Sequence, residues 1–336
     1  MVKRILGKSG LEVSSIGLGC MGMTHGFGAP ADEKEMIKVI QGAYDAGITM
    51  FDTAEIYQSN QDGEIRYNES LVGEALKPIR NQVVIATKCG IKYDGNGQQV
   101  LCAKSDVIRT SLEETLKRLQ TDYVDIYYLH RVDPNTTIEE VADTMKELIR
   151  VGKIRHWGLS EAGVDTIRTA HEICPVTVVE SEYSMFFRTP EDGLIDTLEE
   201  LGIGFVPFAP LGKGFLTGKV DPGQTFASED TRSKQPRFKP ESMQVNKVLL
   251  DLIQSIADNK KATMAQVALA WLLLRKPWIV PIPGSTKLSR IKENIAAVGI
   301  EISAEEMAAI NTALNQLELK ADRWDANSVF AKRIGK

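Results

Sequence analysis

The sequence predicts an α/β fold, a closed parallel (β/α)8 TIM barrel with an N-terminal hairpin and long loops at one face. Short β-rich runs alternate with longer stretches of helical period from residue 15 to about 315. There are eight such runs, and each is apolar on both faces in its middle, as a sheet covered by helices requires. A doubly wound open sheet usually has fewer strands and a more clearly placed phosphate turn. No linker, repeat or low-complexity tract divides the 336 residues, so one domain is expected, with its core over about 4–315 and a tail over 319–336.

The opening RILGKSGLEVS sets a GKSG turn between short apolar runs, the pattern of a small hairpin able to close one end of a barrel. The strand candidates then follow as SIGLGC, ITMFDTA, VVIATKC, YVDIYYLH, IRHWGLS, VTVVESEYS, GFVPFAP and WIVPIPG. Helical period marks DEKEMIKVIQGAYDAG, ESLVGEALK, SDVIRTSLEETLKRL, TIEEVADTMKELIRVG, VDTIRTAHEI and LIDTLEELG. The stretch NKVLLDLIQSIADNKKATMAQVALAWLLL reads as two helices broken near Lys260. Gly47, Gly152 and Gly202 stand just past helix ends, where left-handed backbone stops a helix. Residues 212–240 and the tail after about Leu319 exceed ordinary loop length, which points to lids or binding loops.

A net charge of −5 gives no general attraction to nucleic acid or to an anionic membrane, so an anionic ligand must meet a local cluster of cations. Cys20, Cys89, Cys102 and Cys174 lack metal-ligand spacing, and the four histidines are not spaced as ligands, so neither a disulfide framework nor a metal site is expected. The start has basic residues without a signal peptide's apolar stretch, and no window approaches a membrane span. A cytoplasmic location is expected; oligomeric state stays open.

Residues 17–22 read GLGCMG, which satisfies the dinucleotide pattern G-x-G-x-x-G. That fingerprint needs a helix opening at its third glycine, with its N-terminus facing a pyrophosphate. Here the chain continues MTHGFGAP, and helical period resumes only around Asp32. The strand-end acid nearest to the expected ribose position, Asp52, is too far along. A nucleotide site has to be sought elsewhere.

In a barrel of this class the active site lies at the C-terminal ends of the strands. The second strand ends FDTAEIY, the third ATK, the fourth LH and the fifth GLSE, which brings Asp52, Tyr57, Lys88, His130 and Ser160 to one rim. A lysine closing the apolar run VVIAT needs a partner, because burying an ammonium alone is expensive. Asp52 can be that partner. Lys88 can in turn favour ionised Tyr57, lowering a phenol pKa that is ordinarily about 10. A neutral His130 can polarise a substrate carbonyl, and the four groups would then handle the proton half of a carbonyl reduction. Taken singly, each also has a structural reading, as a cap, a rim ion pair, a strand-end histidine or a packed aromatic. His25, His156 and His171 have no comparable setting and are expected to be structural.

The last strand runs WIVPIPG into STKLSRIKEN. Ser285, Thr286 and Lys287 fall at a helix start with Arg290 one turn on, and hydroxyls with two cations at a helix N-terminus suit a phosphate. A phosphorylated substrate would serve as well as a nucleotide, and simple capping by Ser285 or Ser289 is the bland alternative.

Together these residues resemble the aldo-keto reductase family over about 4–315. FDTAEIY, ATK, LHRVDP, GLSE, SEYS, FAPLGKGFLTGK and IPGSTKLSRIKEN stand in that family's order and spacing. LHRVDP and GLSE are most similar to a branch of bacterial, fungal and plant reductases that act on small aldehydes, diketones or pyridoxal. The resemblance implies reduction of a small-molecule carbonyl by NADPH, with Tyr57 as general acid, Lys88 and Asp52 as its tuning pair and His130 orienting the carbonyl. It also implies an extended NADP(H) beside Gly19, Cys20, Met21 and Asp52, with the nicotinamide against Phe208, where relatives usually carry tyrosine. The carboxamide would meet Ser160, Glu161 and Glu180. The pyrophosphate would run along Ala209, Pro210, Leu211, Gly212 and Gly214, with Phe215 and Leu216 alongside. The 2′-phosphate would meet Ser285, Lys287 and Arg290 after Gly284, with Glu293 and Asn294 near the adenine. No metal is implied. Relatives of this fold that bind NADPH as regulatory or channel-associated subunits supply the alternative reading, and a phosphosugar isomerase on the same barrel a third.

Many family members carry Asn and Gln where this chain has Glu161 and Glu180, the second being the less usual. A carboxylate cannot donate to the carboxamide oxygen unless protonated. Two ionised carboxylates would favour the oxidised, positively charged nicotinamide and raise NADPH dissociation. Substrate choice is expected from the loops around 56–67, 131–137 and 212–240 and from the tail 322–336, where Trp324 and Phe330 either line the pocket or pack the tail onto the barrel.

Overall fold

Around the GKSG turn, β1 (Lys3–Ile5) pairs antiparallel with β2 (Glu12–Ser14). The structure, a computed structural model, describes residues 2–61 and 63–335. Met1, Asp62 and Lys336 lie outside the described residues, the last two within segments expected to shape the substrate pocket. The hairpin stoppers the barrel: Leu6 and Val13 enter one apolar cluster with Met50, Val84, Ile126, Val178, Val206 and Val280. Gly7 has φ of 60°, and a Cβ there would strike Gly202 O, so only glycine lets the turn approach the barrel floor.

Beyond the hairpin come β3 (Leu18–Gly19) and β4 (Met50–Asp52), a surface hairpin of β5 (Gln58–Gln61) and β6 (Glu64–Tyr67), and β7 (Val84–Cys89). A second surface hairpin, β8 (Ile91–Tyr93) with β9 (Gln99–Leu101), precedes β10 (Val124–Leu129), β11 (Ile154–Ser160), β12 (Val178–Glu182) and β13 (Gly204–Phe208). Seven of these form one parallel sheet in the order β3-β4-β7-β10-β11-β12-β13.

The eighth expected strand closes the barrel without forming a ladder of its own. Pro281 and Pro283 have no N–H to give, which precludes regular pairing. Its backbone bonds include Phe205 N to Trp278 O (3.2 Å), Val280 N to Phe205 O (2.9 Å), Ile282 N to Pro207 O (3.0 Å) and Gly17 N to Pro281 O (3.0 Å). Gly19 and Gly284 meet across this seam, and a Cβ on Gly19 would lie 2.9 Å from Ile282 O, one on Gly284 2.9 Å from Gly19 O. The first two glycines of GLGCMG therefore serve barrel closure, and the stretch continues into a short 3-10 turn at Met21–Met23.

The outer layer consists of α1 (Glu33–Asp45), α2 (Asn68–Leu76), α3 (Ser105–Leu119), α4 (Ile138–Arg150) and α5 (Val164–Ile173). It continues with α6 (Leu194–Leu201), α7 (Pro240–Lys260), α8 (Met264–Arg275), α9 (Leu288–Ile295) and α10 (Ala304–Asn315). Left-handed Lys261 (φ 52°) separates α7 from α8, where sequence placed the break. Helix α7 starts at Pro240, earlier than its apolar pattern shows, because a proline in the first turn forgoes only an N–H that would be unpaired anyway. Segment 212–240 is a chain of 3-10 turns that reaches across to the loop after β3, where Thr231 N and Oγ1 both donate to Gly26 O (3.0 and 2.9 Å).

On β11, a Cβ at Gly158 would strike Val178 O and sit 2.6 Å from the Tyr128 ring. Gly158→Ala is expected to lower the unfolding free energy by about 1–3 kcal/mol in urea denaturation. The control Gly299→Ala, which meets open space, should stay within about 0.5 kcal/mol of wild type.

Candidate active site

Strands β4 and β7 are neighbours with Asp52 level with Ala86, so Lys88, two residues further on, rises on the same face as Ala86. Its side chain is fully buried, and Nζ donates to Asp52 Oδ1 (2.5 Å) and Thr53 O (2.9 Å) while Glu180 Oε2 lies at ion-pair distance, 3.3 Å. Burial pulls the Lys88 pKa down, but Asp52 and Glu180 more than offset it and hold the ammonium charged. The end of β4 is fixed from behind: Thr53 Oγ1 donates to Asn68 Oδ1 (2.6 Å), and Asn68 Nδ2 donates to Cys20 O (2.9 Å) and Thr24 Oγ1 (2.8 Å).

Tyr57 follows on the turn after β4, with its ring centroid 5.4 Å from Lys88 Nζ. The His130 ring meets it edge-on at 5.8 Å, and the His25 ring stacks on it at 5.9 Å. Burial pushes the phenol up to about 12, with Lys88 pulling down and Asp52 and Glu180 pushing up. Lys88 does pull the phenol down, as expected, but the net pKa rises instead of falling, because burial, joined by Asp52 and Glu180, outweighs one ammonium. Burial, then Arg131 and Lys88, hold His130 well below its ordinary range, so the imidazole is neutral; its Nδ1 is buried without a partner among the described residues.

Ser160, Glu161 and Glu180 stand together at the ends of β11 and β12, and each already has protein neighbours. Ser160 Oγ accepts from Arg131 Nη1 (2.9 Å), which also donates to His130 O. Glu161 Oε1 accepts from Glu182 N (2.8 Å) and Oε2 from Arg323 Nη1 (2.6 Å), so its charge is matched by a cation from the tail. Burial and Asp52 push Glu180 up to about 8. The picture of two free carboxylates beside a nicotinamide therefore does not describe this rim.

Arg323 also pairs with Glu182 (2.7 Å), which in turn pairs with Arg237 (2.5 Å) from segment 212–240. Burial opposes the charge of Glu182, but Arg237 and Arg323 overcome it and lower its pKa. The Arg323 guanidinium lies over the Phe208 ring, 5.5 Å from its centroid. After Phe208 the backbone turns left-handed at Ala209 (φ 47°), Gly212 (56°), Lys213 (54°) and Gly214 (96°), while Phe215 and Leu216 drop into the core, Phe215 stacking on Phe186 at 4.9 Å. Desolvation, then Arg237, pulls the half-buried Lys213 down to about 7. Near the seam, Ser285 Oγ accepts from Lys287 N (3.1 Å) at the start of α9, with Lys287 and Arg290 exposed and Asn294 buried. Trp324 and Phe330 stack on each other at 4.6 Å, with Lys213 Nζ 5.9 Å from the Trp324 ring.

The rim thus gathers Asp52, Tyr57, Lys88, His130, Ser160, Glu161, Glu180 and Phe208, with Ser285, Lys287 and Arg290 at a separate, exposed station. Sequence reasoning missed His25, Asn68, Arg131, Glu182, Arg237 and Arg323. Arg131 had a signal in its place directly after His130 in LHRVDP, and Glu182 in its place within SEYS.

A family model described as the Aldo/keto reductase family matches residues 15–315. A probable aldo-keto reductase 1 of Glycine max is 41% identical over 310 residues, 92% of this chain and 88% of its own. Among solved structures, a thermostable aldo-keto reductase bound to the inhibitor epalrestat is 30% identical with a TM-score of 0.72, covering 93% of this chain and 100% of that one. The holo form of an aldo-keto reductase from Bacillus halodurans is 26% identical with a TM-score of 0.76, covering 97% of this chain and 98% of its own. A glycerol dehydrogenase from Gluconobacter oxydans superposes with a TM-score of 0.84 at 24% identity, covering 97% of this chain and 98% of that one, a likeness of fold.

Removing Arg323 leaves Glu161 buried without its ion-pair partner. Arg323→Ala is expected to cost about 3 kcal/mol or more in chemical denaturation and to open the tail beyond Leu319 to limited proteolysis.

Proposed function

Because the chain belongs to the aldo/keto reductase family, whose members reduce small carbonyl compounds with a nicotinamide cofactor, we propose that it is an NADPH-dependent reductase of small aldehydes or ketones in which Tyr57 gives the proton. The observation that carries this reading is the fully buried Lys88 ammonium, bound 2.5 Å from Asp52, with the Tyr57 ring 5.4 Å from its Nζ and the His130 ring edge-on to Tyr57 at 5.8 Å.

When bound, NADPH supplies the hydride. The protein's residues fit such a cofactor at three places. Lys213 on the loop after Phe208 offers its side chain to a phosphate, while the N–H groups of Gly212 and Gly214 are spent on Ala209 O and Leu211 O (2.8 and 3.0 Å). Phe208 offers a half-buried ring at the rim. Exposed Lys287 and Arg290 at the start of α9 suit the extra phosphate that distinguishes NADPH from NADH.

The proton half of the reaction falls to this chain. His130, neutral and unable to compete as a cation, donates a hydrogen bond that holds and polarises the carbonyl oxygen. As that oxygen gains negative charge, Tyr57 transfers its proton to it. A phenol held at about 12 stays loaded throughout the neutral range, and the phenolate it leaves is stabilised by Lys88 in a site of low dielectric. Asp52 keeps that ammonium charged and in place. Free thiols at Cys20, Cys89, Cys102 and Cys174 support a reducing, cytoplasmic setting, and no described helix is long and apolar enough to cross a membrane.

Tyr57→Phe is expected to cut carbonyl-dependent NADPH oxidation by about 10²–10⁴-fold while NADPH binding, followed by fluorescence titration, is retained. Wild-type rates in that variant would overturn the assignment of Tyr57. Arg290→Ala is expected to raise Kd for NADPH about tenfold or more with little change for NADH. A screen of aldehydes, dicarbonyls, pyridoxal and aryl ketones against both cofactors identifies the substrate class.

A further inference from the structure

Lys88 carries one positive charge and faces two carboxyl groups. Asp52 Oδ1 is 2.5 Å from its Nζ and Glu180 Oε2 3.3 Å, and all three side chains are almost completely buried. Asp52 Oδ2 and Glu180 Oε2 are both sealed from solvent and accept no hydrogen bond from the described residues, the second only facing the ammonium at ion-pair distance. The two side chains approach closely enough to hydrogen-bond each other once one carries a proton. Two ionised carboxylates against one ammonium would leave a buried net negative charge, which a medium of low dielectric penalises heavily. A single proton between them removes that charge and gives both orphaned oxygens a partner. Asp52, nearer the ammonium and aligned with it, keeps the charge; Glu180 holds the proton.

We propose that Glu180 is a positioning residue for the reduction, working in its protonated form by hydrogen-bonding Asp52 and leaving the Lys88 ammonium to Tyr57, and that loss of this proton switches the site off. The proposal rests on the reductase reading above. Ionised Glu180 would compete for Lys88 and add negative charge beside the phenol, opposing the phenolate that proton transfer creates. The titratable groups acting on Glu180 come from several elements: Asp52 and Tyr57 at and after the end of β4, Lys88 on β7, and Tyr128 and Arg131 on and after β10. Its partners in register on the flanking strands, Ser160 of β11 and Val206 of β13, carry no charge.

Burial and the Asp52 charge push Glu180 up to about 8, so the change falls at the alkaline edge of the neutral range, and the carboxyl pair titrates as a unit. The folded-state value lies above that of an exposed carboxyl. Its contribution to stability is therefore full in acid and lost as pH rises through about 8.

The test compares wild type with Glu180→Gln, which keeps the shape and the neutral charge. With benzaldehyde and NADPH, wild-type turnover is expected to fall about tenfold between about pH 7 and pH 9, and the variant's alkaline limb to move up by about a unit or more, whatever its absolute rate. Without cofactor or substrate, the Tm of wild type is expected to fall relative to that of the variant between about pH 5 and pH 9. Superimposable pH profiles with a constant Tm difference overturn the proposal and leave the reductase reading intact. Absence of carbonyl-dependent NADPH oxidation in wild type overturns the reductase reading, and with it the positioning role. If the variant does not fold, infrared difference spectra of wild type bearing carbon-13 glutamate decide the matter: a buried protonated carboxyl that disappears across about pH 8 supports the proposal, and its absence overturns it.

Discussion

An ammonium with no access to water governs the active end of this barrel. Lys88 is fully buried, and such a charge persists only where acceptors surround it. Asp52 from β4, the carbonyl of Thr53 and Glu180 from β12 provide them. Because those acceptors come from strands on different sides of the barrel, the lysine ties the sheet's carboxyl ends together, and the Asn68 amide braces the β4 end from outside. Burial beside that ammonium raises the Tyr57 phenol and lowers the His130 imidazole.

A second buried ionic cluster stands on the adjoining strands. Glu161 and Glu182 project from the ends of β11 and β12 and are met by Arg323 and Arg237. Neither arginine belongs to the barrel's repeating units; one comes from the crossing segment 212–240 and the other from the tail. Geometry is thus divided between two sources. Regular strands set the positions of Asp52, Lys88 and Glu180, and irregular segments neutralise the carboxylates next to them, as is common where loops sit on a rigid scaffold.

The barrel was legible because its strands are apolar on both faces and its helices carry their own stops, such as the glycine after α6 and the left-handed residue between α7 and α8. The Asp52 and Lys88 pair was legible for an energetic reason, since a lysine ending an apolar run must find an anion. The state of Tyr57 was not, because it depends on how deeply the ring lies and on the orientation of Glu180, which spacing does not encode. The eighth stave read as a strand from its apolar residues, while its prolines fixed how little of a ladder it could make. Arg323 escaped notice because its carboxylate partner is 162 residues away and its own surroundings have no periodicity.

That distance has a consequence for how the protein is made. On the ribosome, β11 and β12 emerge well before Arg323, so Glu161 is synthesised long ahead of its ion-pair partner. The mouth of the barrel becomes electrically balanced only after the final helix has been laid down and the chain beyond it has folded back. The site is thus completed by a residue made after every strand of the barrel: a chain lacking Arg323 keeps those strands yet carries an unquenched carboxylate at its opening.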